Sequence, residues 1–109
     1  MDLDRYQELA SRTRNHSIDQ DTERCNYAMG LCGESGEVVE LVKKHIFHGH
    51  DAMDTRKAIL DECGDVLWYL SQLLDVYGIS LEAAATCNIE KLQRRYPEGF
   101  SKDDSRFRN

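Results

Sequence analysis

The first proline of this 109-residue chain is Pro97, so nothing before it forces a helix to break. Strand-type runs of β-branched and aromatic residues are missing, and apolar residues recur at three- and four-residue steps. The pattern predicts an all-α, four-helix bundle-like domain. Helix one is expected over residues 2–13, with Leu3, Tyr6, Leu9 and Ala10 as a short apolar stripe. The polar stretch from Arg14 to Gln20 reads as a loop, in which Asp19 or Asp21 can cap the second helix. Helix two continues to about His48 and ends at Gly49. Asp54 and Thr55 restart the chain as helix three, which runs to Tyr77 and stops at Gly78. Ser80 caps helix four, which ends before Pro97. Residues 1–100 are thus read as one domain. Residues 101–109 are read as a charged tail, loosely held from Glu98 onward.

Within this helical pattern sit two carboxylate pairs, Glu34-Ser-Gly-Glu37 and Glu62-Cys-Gly-Asp65. The i,i+3 spacing points both members of a pair the same way on a helix. At 100° steps, Cys25, Met29, Cys32, Gly36 and Val39 form one stripe of helix two. Glu34 and Glu37 fall on the opposite side, among Leu31, Val38 and Leu41. Glu62 shares a sector of helix three with Val66, Tyr69, Leu73 and Val76, and Asp65 lies at its margin. A carboxylate on an apolar face is expensive unless something compensates its charge. Four acids from two helices form a hard-oxygen set of the kind that suits Mg²⁺, with Mn²⁺ able to substitute. Gly33, Gly36 and Gly64 flank them at about 1 kcal/mol each relative to alanine, and close helix approach is the expected return.

Carboxylate-held Mg²⁺ normally meets its substrate through phosphate oxygens. Helix four offers cations for them: Asn88, Lys91 and Arg95 follow at i, i+3, i+7, with Arg94 beside them. A di-iron bundle would need Glu-x-x-His, but Glu40 follows Glu37 and Asp65 follows Glu62 at that spacing. The oxygen-only set favours hydrolysis over redox chemistry. His45, His48 and His50 are read as favourable cations at a helix end. Trp68 and Tyr69 read as core aromatics rather than stacking groups. Cys25, Cys32, Cys63 and Cys87 contain no Cys-x-x-Cys and read as small core residues in a reducing cytosol.

The net charge of −6 argues against nucleic acid as a partner. No apolar run approaches the roughly 18 residues of a membrane span, and the acidic start is unlike a signal peptide, so a cytoplasmic location is expected. A chain this short buries little surface, and helix two is apolar on both faces. A homodimer or homotetramer is expected, with helices two and three near the interface.

Three segments, Gly30-Leu-Cys-Gly-Glu34-Ser-Gly-Glu37-Val38, Asp61-Glu62-Cys-Gly-Asp65-Val-Leu-Trp-Tyr69, and Asn88-Ile-Glu-Lys91-Leu with Arg95-Tyr-Pro-Glu-Gly-Phe100, resemble the MazG-like nucleotide pyrophosphohydrolases. The resemblance runs in order over residues 27–100. It implies Mg²⁺-dependent hydrolysis of a nucleoside triphosphate between its α and β phosphates, giving monophosphate and pyrophosphate in nucleotide-pool clean-up. It implies Glu34, Glu37, Glu62 and Asp65 as metal ligands and catalytic acids, and Asn88, Lys91 and Arg95 as phosphate contacts. Dimers or dimers of dimers are implied as well. All-α dUTPases and phosphoribosyl-ATP pyrophosphatases share the acid pattern, and a non-catalytic nucleotide-binding regulatory module is the alternative. Many members carry a further glutamate where this chain has Gly33, which leaves the general base open among the four acids and Glu40.

Overall fold

Side-chain caps set the helix starts. In the computed structural model, which describes residues 1–107, the Asp2 carboxylate accepts from the Arg5 N–H at 2.8 Å and opens α1 (Leu3–Ser11). Asp19 accepts from the Thr22 N–H at 2.9 Å and opens α2 (Gln20–His48). Gly49 closes α2 in the left-handed region, φ 68°, where a side chain would be strained. α3 (Ala52–Val76) begins earlier than expected, because Asp51 rather than Asp54 accepts from the Met53 and Asp54 N–H groups, both at 3.0 Å. Ser80 caps α4 (Leu81–Arg95), accepting from the Ala83 N–H at 3.0 Å. The expected tail carries local order: Ser101 caps a further short helix, α5 (Lys102–Arg106). The last two residues of that tail, Arg108 and Asn109, lie outside the described residues. No strand occurs among the described residues, only an isolated bridge between Pro97 and Gly99.

The chain is all-helical, but α1 to α4 do not close into a bundle. α2 and α3, 29 and 25 residues long, pack on each other as a hairpin and dominate the contacts. α1 and α4 gather where α3 ends, and α2 hardly meets α4. Gln7 fastens that end. Its side-chain amide donates to the carbonyls of Ser71 (2.9 Å) and Ile79 (3.1 Å) and accepts from the Leu81 N–H (2.9 Å), joining three helices through one buried side chain. Arg14, in the α1–α2 loop, pairs with Glu23 on α2 and Asp75 on α3 and ties the loop to both.

Such an open arrangement buries few apolar groups: among the described residues only Ala10, Tyr27, Val76 and Leu81 are buried. The accessible surface is 8027 Å². A compact monomer of 12.6 kDa is expected to expose about 6,200 Å². The radius of gyration is 17.2 Å, against about 13 Å for a compact domain of this length. Exposed apolar side chains include an outer stripe of α2, where Met29, Val39 and Ile46 are 68%, 66% and 62% exposed, and Leu60 on α3, 78% exposed.

This geometry corrects two further expectations. All four cysteines are free thiols, and all are exposed rather than part of a core. Cys25 and Cys32 fall on the outer stripe of α2, which is exposed along its length among the described residues. Nor do Gly33, Gly36 and Gly64 mediate helix approach, since a Cβ at any of them would meet nothing within 4 Å. The close approach is at Gly30 instead, where a Cβ would overlap the ring of Tyr69.

Candidate metal and phosphate sites

Gly30 sits one turn before Glu34, and Tyr69 one turn after Asp65. The contact of Gly30 with the Tyr69 ring therefore sets how near the acidic turns of α2 and α3 come. Tyr69 is held in turn by an edge-to-face contact with Trp68, centroids 5.1 Å apart, and by Tyr27 at 6.4 Å. Trp68 donates its indole N–H to Thr13 Oγ1 at 2.8 Å, anchoring the aromatic group to the end of α1. The aromatics expected in the core are therefore half-buried supports beside the acids.

At that level Glu34, Glu62 and Asp65 come together, each offering a carboxylate oxygen within 4.8 Å of the others. Glu34 and Glu62 are half-buried and Asp65 is exposed. Glu37, one turn further along α2, is exposed and outside this trio. The carboxyl of Glu62 is pushed above its ordinary value, first by a side-chain hydrogen bond with Glu34. Partial desolvation and the negative charges of Glu34, Asp65 and Glu37 add to the shift. Three hard-oxygen donors from two helices, repelling one another at one point, fit a divalent cation of the Mg²⁺ or Mn²⁺ kind.

Tyr6 escaped the sequence reading as anything but an apolar position on helix one. The structure brings it alongside the site: burial raises its phenol pKa, and the charge of Asp65 raises it further. No spacing within α1 signals this, because the neighbourhood depends on how α1 docks on α3. Glu40, considered as a base, is engaged by Lys43 at 3.6 Å and Lys44 at 4.0 Å. His45 and His48 lie in the last turn of α2, and the ring of His50 lies 6.4 Å from that of His48.

The helix-four residues lie elsewhere. Lys91, Arg94 and Arg95 line a cavity of about 630 Å³ together with Pro97, Asp103, Asp104 and Phe107. None of the four acids of α2 and α3 lines it, and Asn88 is exposed outside it. Within one chain the acids and the cations therefore form two separate features. No helix among the described residues is long and apolar enough to cross a membrane.

The sequence profile of the MazG nucleotide pyrophosphohydrolase domain matches residues 23–100, a span that contains both acid pairs and the α4 cations. The Gene 37 protein of Mycobacterium phage L5 is 38% identical over 106 residues, covering 91% of this chain and 92% of that protein. The uncharacterized protein YvdC of Bacillus subtilis (strain 168) is 31% identical over 74 residues, covering 61% of this chain and 69% of its own. No solved structure matches the chain.

Proposed function

The chain belongs to the MazG nucleotide pyrophosphohydrolase family, and from that membership we propose that it hydrolyses a nucleoside triphosphate between its α and β phosphates. The products are a nucleoside monophosphate and pyrophosphate, and the role is clean-up of the nucleotide pool in the cytoplasm. The convergence of Glu34, Glu62 and Asp65 carries this reading, because it is a charge arrangement that folding alone disfavours. A bound Mg²⁺ or Mn²⁺ supplies Lewis-acid charge against the phosphate oxygens.

The residues themselves divide the work. Glu34, Glu62 and Asp65 would hold the cation. Glu37 is exposed one turn away, outside the trio and in no ion pair among the described residues. It is the acid best placed to accept a proton from the attacking water, whereas Glu40 is committed to two lysines. Once assembly brings α4 of one copy to the acid trio of another, Lys91 and Arg95 neutralise the phosphates and Asn88, one turn before, donates a hydrogen bond to them. Pyrophosphate leaves with the electron pair of the broken P–O bond.

The assembly we propose is a homodimer or homotetramer built on the outer side of the α2–α3 hairpin. The surface beyond that of a compact monomer is roughly 1,800 Å² per chain, the scale of an obligate interface. Covering Met29, Val39 and Ile46 would bury the exposed apolar stripe of α2.

The test is product analysis with a panel of nucleoside triphosphates, dUTP and phosphoribosyl-ATP included, in the presence of Mg²⁺. Pyrophosphate with monophosphate is the expected outcome, and chelator should abolish it. Orthophosphate with a diphosphate as primary products would overturn the reading.

A further inference from the structure

Beyond α4 the chain turns back toward the helix it has just left. Gly99 takes a left-handed φ of 86°, its N–H donates to the Tyr96 carbonyl at 3.1 Å, and the rings of Tyr96 and Phe100 lie 5.6 Å apart. Ser101 then starts α5, its hydroxyl accepting from the Asp104 N–H at 2.9 Å. The cavity between α4 and this returning segment takes Lys91, Arg94 and Arg95 from α4, and Asp103, Asp104 and Phe107 from the return. Its volume, about 630 Å³, is that of a small-ligand pocket.

Among the described residues the charges in this cavity are not paired with one another across it. Among the described residues no carboxylate lies within 4.0 Å of Lys91, Arg94 or Arg95, and Asp104 has no cation that close. Asp103 pairs only with Arg106, at 2.7 Å. Lys102 and Arg106 balance the two acids along α5, yet neither lines the cavity, so α5 presents acid to the α4 cations. The segment is also weakly held. α5 is five residues long and packs on no other helix to any extent. A helix of that length has little stability of its own, and a glycine hinge with few contacts opens at low cost.

We propose that residues 101–107 are an acidic lid over the α4 cations. Asp103 and Asp104 stand near the positions of phosphate charges in the resting protein and move away when a polyphosphate enters. The lid regulates the phosphate-binding role of Lys91 and Arg95 and rests on that reading. Two acids facing three cations leave the cavity net positive, so the lid competes with a polyphosphate without closing the site to it. A more highly charged ligand would displace it, while single phosphates and weak anions would be screened out.

The experiment is calorimetric binding of inorganic tripolyphosphate to the full chain, at low salt and without divalent metal. Asp103→Asn/Asp104→Asn should bind roughly three- to tenfold tighter than wild type, the scale of two partly solvated charge contacts. Asp103→Glu/Asp104→Glu should stay near wild type. In a Lys91→Ala/Arg95→Ala background the gain should vanish, because the acids would have nothing to shield. Unchanged or weaker binding in the Asn variant overturns the lid, as does a gain that persists without Lys91 and Arg95, or no tripolyphosphate binding by any variant. Pyrophosphate release from nucleotides with Mg²⁺, measured on the same proteins, reports separately on the hydrolase reading. Its absence alongside a lid-dependent affinity would remove the reaction and leave the lid, and normal release with no affinity change would do the reverse.

Discussion

The two faces of α2 carry comparable apolar patterns and have opposite surroundings. The inner face packs on α3, closes on Tyr69 at Gly30 and holds Glu34 against Glu62 and Asp65. The outer face, with Cys25, Met29, Cys32, Gly36 and Val39, is exposed, and among the described residues nothing lies within 4 Å of where a Cβ on Gly36 would stand. Periodicity alone does not tell a face that builds a site from one that awaits a partner, because both bury apolar area in the end. The difference lies in what tolerates change: one turn of the inner face has no room for a methyl group, while the outer face is limited only by what covers it.

Activity gives the largest expected contrast. Glu34→Ala or Glu62→Ala should lower pyrophosphate release by on the order of 10²- to 10³-fold, comparable to losing a preorganised charge at a reacting phosphate. Cys25→Ser and Cys32→Ser, on the outer stripe, should keep activity within a few-fold of wild type. Glu37→Gln should lose turnover yet keep the rise in melting temperature that Mg²⁺ gives, since the acid trio stays intact. Loss of that rise as well would make Glu37 a ligand rather than the base.

Assembly comes next. Val39→Asp places a charge in the centre of the outer stripe, and a desolvated unpaired charge costs an interface several kcal/mol. Sedimentation at micromolar concentration should find wild type at a multiple of 12.6 kDa and Val39→Asp at or near the monomer. A monomeric wild type would mean that the outer face stays open in solution.

The glycines set a third contrast. Gly30→Ala drives a Cβ into a ring already packed by Trp68 and Tyr27, so a loss of about 1–3 kcal/mol is expected in chemical denaturation. Gly36→Ala meets no described atom of its own chain within 4 Å and improves helix propensity, so in the Val39→Asp background it should lose nothing and can gain up to about 1 kcal/mol. If Gly30→Ala proves as stable as wild type, Tyr69 swings aside and the acid level of the hairpin is looser than the geometry indicates.

The smallest effect concerns charge at the acid trio. Folding raises the pKa of Glu62, so the folded chain binds that proton more tightly than the unfolded one. The resulting stabilisation is complete below the ordinary value of 4.5 and is lost as pH climbs through the folded-state value. At neutral pH without metal, Glu62→Gln should therefore melt slightly higher than wild type, and Mg²⁺ should raise wild type while hardly moving the variant. A destabilised Glu62→Gln that still gains the full Mg²⁺ shift would assign Glu62 to a structural partner instead.

Much of this molecule was legible in the sequence because it is local. Caps at Asp19 and Ser80, the stops at Gly49 and Gly78, and the i,i+3 facing of the acid pairs depend on interactions within one or two turns. The start of α3 was misplaced because Asp51, Asp54 and Thr55 are all competent caps, and the choice rests on how the α2–α3 connection closes. The sequence of α5 reads as tail because it is charged and has no apolar stripe, and only the capping of Ser101 and the Gly99 bend organise it.

What the sequence could not supply is which residues meet across elements. It determined that the chain is helical and that the acids are paired along each helix, since helix geometry is fixed by the backbone at short range. Only the tertiary structure decided that Gly30, not Gly33, Gly36 or Gly64, takes the close contact, and that Glu37 stands outside the trio. It likewise placed Tyr6 beside Asp65 and Lys91 and Arg95 beneath the acids of α5. Each of those depends on the rotation and translation of one rigid helix against another, which the whole set of packed side chains selects and no single spacing encodes.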